Sequence, residues 1–154
     1  MSSSPLKSQP LVESFKAFYR DLSEFRLDDL ASIYDAEVLF KDPVHQLRGI
    51  CTLHSYLTEL CTNVDHCRFE YLDQLIGDNR AYIKWNMFFS HRRLGSQLIT
   101  VRGITQLEFT ERVFYHEDVY DMGQLLYDHL PLLGAGTRFL KRRMARSVEV
   151  PSAS

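Results

Sequence analysis

The sequence predicts an α+β fold: a cone-shaped, curved antiparallel sheet wrapped around three N-terminal helices, with a C-terminal helical extension. Three observations predict it. Apolar residues recur at helical spacing from Leu11 to Leu60, strict alternation takes over from Asp65 to Tyr120, and the breaks between the alternating segments are short. Helices followed by consecutive strands leave the helices on one face of an antiparallel sheet.

Length and composition agree with one globular domain. The chain has 154 residues, 45% of them hydrophobic and 25% charged. A chain this long buries about two-thirds of its unfolded surface, so no staple is required. Eighteen Lys and Arg stand against 20 Asp and Glu, a net charge of −2, which supplies no general attraction for nucleic acid. Cys51, Cys61 and Cys67 form no CxxC pair and have no histidine at zinc-ligand spacing. They read as reduced thiols, and with no apolar leader at Met1–Lys7 the expected location is cytoplasmic. No apolar run approaches the length of about 18 residues that a membrane span needs.

Residues 1–9 are Ser-, Pro- and Gln-rich and read as a frayed terminus. Pro10 suits a first helical position, and Leu11, Val12, Phe15, Phe18, Tyr19 and Leu22 give the first amphipathic helix. Leu27, Leu30, Ala31 and Tyr34 give a second, short one. Ala36–Lys41 is strand-like and ends at Asp42-Pro43, because a residue before proline is pushed out of helical geometry. After Gly49, Leu53, Tyr56, Leu57 and Leu60 mark a third helix. Four strands follow at 65–76, 80–91, 97–109 and 112–120. Ile83, Trp85 and Met87 alternate with Tyr82, Lys84 and Asn86, so one sheet face is buried.

The domain is accordingly expected to span 10–121, followed by a helical extension at 122–146 and a flexible tail at 147–154. The extension carries Arg138, Lys141, Arg142, Arg143 and Arg146 among Phe139, Leu140 and Met144. Such a basic amphipathic helix can make weak contact with a membrane surface, or can lay its apolar side on the sheet.

The segment Ile33-Tyr34-Asp35-Ala36-Glu37-Val38-Leu39-Phe40-Lys41-Asp42-Pro43, then Gly49 and a helix bearing Tyr56, resembles the corresponding stretch of the SnoaL-like branch of the nuclear transport factor 2-like superfamily. Ketosteroid isomerase and scytalone dehydratase belong to the same superfamily. The order of elements agrees over about residues 11–121. The resemblance implies the cone fold, a hydrophobic pocket for a small apolar molecule, a homodimer, and no cofactor. It does not by itself choose a function, since this fold carries enzymes, carriers and scaffolds.

Within that resemblance Asp42 matches the general base of ketosteroid isomerase, whose pKa burial would raise. Its other reading is an Asx-Pro turn opener. Tyr19 matches the family's tyrosine donor when one gap is allowed, and is otherwise a core aromatic. Thr105 stands where the isomerase has a protonated aspartate, and threonine donates one hydrogen bond without being an acid. By strand periodicity His116, Asp118 and Tyr120 share one face. His116 with Asp118 has the composition of an acid–base pair; a solvated strand is the other reading. Trp85, Met87, Tyr56 and Tyr71 would line the pocket and His45 would close its mouth. Asp42 and His116 are expected to enter a hollow interior from opposite walls. Two histidines and two carboxylates are also metal-ligand types, but no fixed ligand spacing accompanies them, so no metal is expected.

Three functions fit: a cofactor-independent isomerase or lyase acting on an apolar, carbonyl-bearing (steroid-, polyketide- or lipid-like) molecule, with Asp42 as base; a carrier of such a molecule; or a dimeric interaction module. Phosphate-loop, nucleophile-elbow and thiol-redox motifs are missing.

Overall fold

The computed structural model describes residues 7–20, 22, 26–62, 64–91, 95, 97–121 and 123. The chain divides into two units, 1–120 and 121–154. The first unit holds the helices and the sheet. The expected helical extension and tail, Gly123 apart, lie outside the described residues.

Helix α1 (Gln9–Arg20) turns Val12, Phe15 and Tyr19 inward. Ser8, just before it, is buried and its hydroxyl donates to the carbonyl of Gly77 at 2.8 Å. Ser8, within the stretch expected to be frayed, is held in place by this bond. Helix α2 (Leu27–Ile33) starts where the Asp29 carboxylate accepts the Arg26 amide at 2.8 Å, satisfying one amide that the first turn cannot. Helix α3 (Ile50–Thr62) buries Leu53 and Leu57. Gly49, at φ +91°, supplies the left-handed residue ahead of α3, and its amide reaches the Val38 carbonyl at 2.8 Å.

Six strands form one sheet in the order β2-β1-β6-β5-β4-β3: β1 (Tyr34–Lys41), β2 (Gln46–Arg48), β3 (Val64–Ile76), β4 (Arg80–His91), β5 (Ile99–Phe109) and β6 (Val113–Tyr120). The α+β class and the order of long strands are as the sequence predicts. Three features differ in detail. The sheet is not wholly antiparallel: β1 runs parallel to β6, with Phe40 opposite His116 and Lys41 opposite Glu117. The short β2 has no counterpart among the expected strands, because three residues are too few to show alternation. Tyr34 starts β1 instead of closing the second helix.

The core lies between the helices and the concave sheet face. It is built from Val12, Phe15, Tyr19, Leu30, Tyr34, Val38, Phe40, Leu53, Ile83 and Leu107, among others. Trp85 lies flat over Gly103, its partner on β5; a Cβ on Gly103 would stand 2.3 Å from Trp85 Cη2. Only glycine lets the indole cross the strand there.

Candidate active site

Parallel pairing of β1 with β6 decides which polar groups meet. Asp42 follows directly on β1, so it and the His116–Asp118 end of β6 stand side by side, not on opposite walls. The predicted residues form two groups.

The first group is interior. The Tyr19 and Tyr34 hydroxyls are 2.7 Å apart, and the Tyr34 hydroxyl is 2.7 Å from His116 Nδ1. His116 Nε2 is 2.9 Å from Asp118 Oδ1. The same Oδ1 accepts the Thr105 hydroxyl at 2.5 Å, and Thr105 Oγ1 accepts the Trp85 indole N–H at 2.8 Å. A carboxylate only accepts, so His116 carries its proton on Nε2. When the ring is neutral, Nδ1 then accepts from Tyr34, which accepts from Tyr19. His116 is 1% exposed and is ringed by Phe15, Tyr19, Phe40 and Tyr34 at centroid distances of 5.3, 5.8, 4.8 and 5.9 Å. Burial drives the Tyr19 and Tyr34 phenols well above the ordinary tyrosine value.

Part of this group borders a cavity lined by Phe15, Tyr19, Phe69, Tyr71, Trp85, Thr105, His116 and Asp118. Its interior is about 10 Å³, room for one water at most. The hollow interior expected from the sequence is thus filled by aromatic rings, which alternation alone does not reveal. Asp118 is the exposed end of the chain of hydrogen bonds, with its side chain 17% accessible. Both of its donors converge on Oδ1, and Oδ2 has no hydrogen-bond partner among the described residues.

The second group is the turn after β1. Asp42 Oδ1 accepts the Val44 and His45 amides at 2.8 and 2.6 Å, and Oδ2 accepts the Tyr56 hydroxyl at 2.5 Å. His45 Nδ1 is 3.2 Å from both oxygens. Burial alone would push the Asp42 carboxyl up, but the bonds from Tyr56, Val44 and His45 outweigh it and hold the pKa below the ordinary carboxylate value. The raised pKa expected for this residue is therefore reversed. Of the two readings of Asp42-Pro43, a base or a turn opener, the geometry is that of the Asx turn.

Tyr120 links the groups. Its ring is 6.1 Å from Trp85, and burial, then the charges of Asp42 and Asp118, push its phenol up. Its hydroxyl has no hydrogen-bond partner among the described residues. Tyr71 instead spends its hydroxyl on the Lys16 carbonyl at 3.1 Å. Met87 sits half-buried on β4, opposite Phe69 and Val101, outside the cavity lining. Tyr34 and Phe15 are the residues sequence reasoning missed. Phe15 is visible on the inner helix face, whereas nothing local marks the Tyr34 hydroxyl as the partner of a histidine 82 positions away.

Among the described residues no three His, Cys, Asp or Glu side chains converge as metal ligands, and no helix is long and apolar enough to cross a membrane.

Residues 15–118 match the SnoaL-like domain family. Among solved structures, a protein from Jannaschia sp. CCS1 provisionally named a SnoaL-like polyketide cyclase superposes with a TM-score of 0.70 at 10% identity, covering 82% of this chain and 94% of that one. A protein of ketosteroid isomerase-like fold from Catenulispora acidiphila, in complex with trimethylamine, gives 0.66 at 12% identity, covering 75% and 88%. An NTF2-like protein of unknown function from Burkholderia pseudomallei gives 0.65 at 15% identity, covering 77% and 92%. These likenesses concern the fold. No curated protein sequence matches the chain.

Proposed function

The chain belongs to the SnoaL-like domain family, and from that premise we propose that it is a cofactor-independent isomerase or lyase acting on a small, apolar, carbonyl-bearing molecule, with Asp118 as the general base. One observation carries the reading: Asp118 borders the cavity with two donors on Oδ1 and, among the described residues, none on Oδ2. A carboxylate held by two donors on one oxygen presents the other in a fixed direction, as a proton-abstracting group must. Asp42, by contrast, has donors on both oxygens and a lowered pKa, which makes it a weaker base and a better brace for the mouth loop.

In this reading His116 orients Asp118 through Nε2–H, and Tyr34 and Tyr19 fix the imidazole from its far side. The proton leaves the carbon beside the carbonyl for Asp118 Oδ2, and the developing enolate oxygen takes a hydrogen bond from Tyr120. Trp85, Phe69 and Tyr71 supply apolar contact. Phe69 and Tyr71 are only half-buried on the edge strand β3, so they are the rings that turn outward to admit a ligand. A screen of cyclic enones and hydroxy-ketones tests the assignment: turnover that survives Asp118→Asn unchanged refutes it.

The small size of the cavity favours a second reading, a non-catalytic carrier or interaction module, because each polar group of the inner chain except Asp118 Oδ2 finds a partner among the described residues. Tyr82, Ile104 and Val119 project exposed from the outer sheet face, and support a homodimer formed there. Sedimentation of the full chain checks this: a monomer at all concentrations removes the dimer.

A further inference from the structure

A second, larger concavity lies at the C-terminal ends of α1 and α3 and the start of β3. It offers about 650 Å³ of half-open space, and its described lining is Arg20, Leu22, Cys61, Val64, Asp65, His66, Cys67 and Arg68. That is the size of a small-molecule site, whereas the cavity that Trp85 helps to line has room for one water at most. None of its lining residues borders that cavity.

Its chemistry is specific. Burial pushes the Cys67 thiol up to about 12 and raises Cys61 as well, so both are neutral at physiological pH and act as small apolar groups beside Leu22 and Val64. Thiolate chemistry is correspondingly suppressed. Among the described lining residues two arginines stand against one aspartate, a net positive charge. The Arg20 guanidinium rests over the Tyr71 ring, 6.0 Å from its centroid, with no carboxylate partner among the described residues. Arg68 lies over Phe88 at 5.0 Å, likewise without one. Stacking on tyrosine holds the Arg20 stem and leaves its edge donors open, the arrangement that suits a bidentate carboxylate.

We infer that this groove binds a monocarboxylate with an apolar tail, its head on Arg20 and its tail along Leu22, Cys61, Val64 and Cys67. The groove binds in this way whether or not the protein is an enzyme.

Decanoate is the probe, with decan-1-ol as its uncharged counterpart, titrated calorimetrically into the full-length chain while backbone amide shifts are followed by NMR. Decanoate should bind saturably, with shifts centred on Arg20, Leu22 and Val64–Arg68, and binding should weaken as salt rises. Arg20→Gln, an exposed substitution checked for folding by circular dichroism, should weaken it about tenfold, while decan-1-ol should bind at least as weakly as decanoate binds that variant. Arg68→Gln, if folded, should cost less, since its guanidinium is committed to Phe88. Any of three results overturns the inference: no saturation up to about 1 mM decanoate, equal affinity of wild type and Arg20→Gln, or shifts centred on Trp85, Thr105 and Asp118.

Discussion

His116 and Asp118, two residues apart on one face of β6, share a hydrogen bond of 2.9 Å between Nε2 and Oδ1, and the imidazole that makes it is 1% exposed while the carboxylate is 17% exposed. The pair therefore runs from the core to the cavity edge, with Tyr34 and Tyr19 behind it. Substituting Tyr34 by Phe removes the hydroxyl that faces both His116 Nδ1 and Tyr19. Two buried polar groups then lose a partner, at a cost of about 1–3 kcal/mol each where no water replaces it. Urea unfolding should show a lowered midpoint with an unchanged slope. Tyr82→Phe, on the exposed face, should leave the midpoint in place.

Gly103→Ala tests the contact beneath Trp85. The added methyl would sit 2.3 Å from the indole, so either the ring or the strand shifts. Overpacking of this kind costs about 1–3 kcal/mol, and displacement of the indole also strains its bond to Thr105. Trp85 is the only tryptophan, so its fluorescence reports the change directly: a shifted emission maximum with a lowered unfolding midpoint is expected.

Acid stability follows from the turn at Asp42. Its folded pKa lies below the unfolded value of about 3.9, so its contribution is fully present above that pH and is lost as the pH falls through the folded value. Tyr56→Phe deletes the strongest of the bonds that lower it. The folded value then rises toward the unfolded one and the contribution shrinks. Thermal melts between about pH 2 and pH 6 should show Tyr56→Phe losing less stability than wild type across the acid limb, from a lower starting point near neutrality.

Alkaline behaviour runs the other way. Burial raises Tyr19, Tyr34, Tyr56, Tyr71 and Tyr120 above the ordinary phenol value. Their contribution is complete below the unfolded pKa of about 10 and declines above it, as the unfolded chain ionises phenols that the folded chain keeps protonated. Spectrophotometric titration of the native protein should therefore leave most tyrosines un-ionised until the chain unfolds, whereupon they ionise together.

Most of the fold is legible in the sequence because it rests on local periodicity. Val12, Phe15 and Tyr19 repeat at helical spacing, and Ile83 and Trp85 alternate with Tyr82 and Lys84, so each buried face announces itself. What stays hidden depends on pairing between distant segments. The parallel register of Phe40 with His116 sets Asp42 next to β6, and Tyr34 faces a histidine that no spacing rule connects to it. Asp42 and Asp118 are both visible as carboxylates at the right places. Which one keeps a free oxygen depends on Val44, His45, Tyr56, Thr105 and His116 together, and residue types alone do not assign hydrogen bonds. Nor does alternation measure how far Phe69, Tyr71 and Trp85 fill the space between helices and sheet.

The free oxygen of Asp118 is tested most directly by proton abstraction itself. Loss of the α-protons of cyclopent-2-enone in D₂O, followed by NMR, needs no knowledge of the natural substrate. Wild-type protein should accelerate the exchange, Asp118→Asn should lose about 10²–10⁴ of that acceleration, and Asp42→Asn should keep most of it. Exchange that persists in Asp118→Asn but vanishes in Asp42→Asn, or wild-type protein that leaves the exchange rate unchanged, would contradict the account.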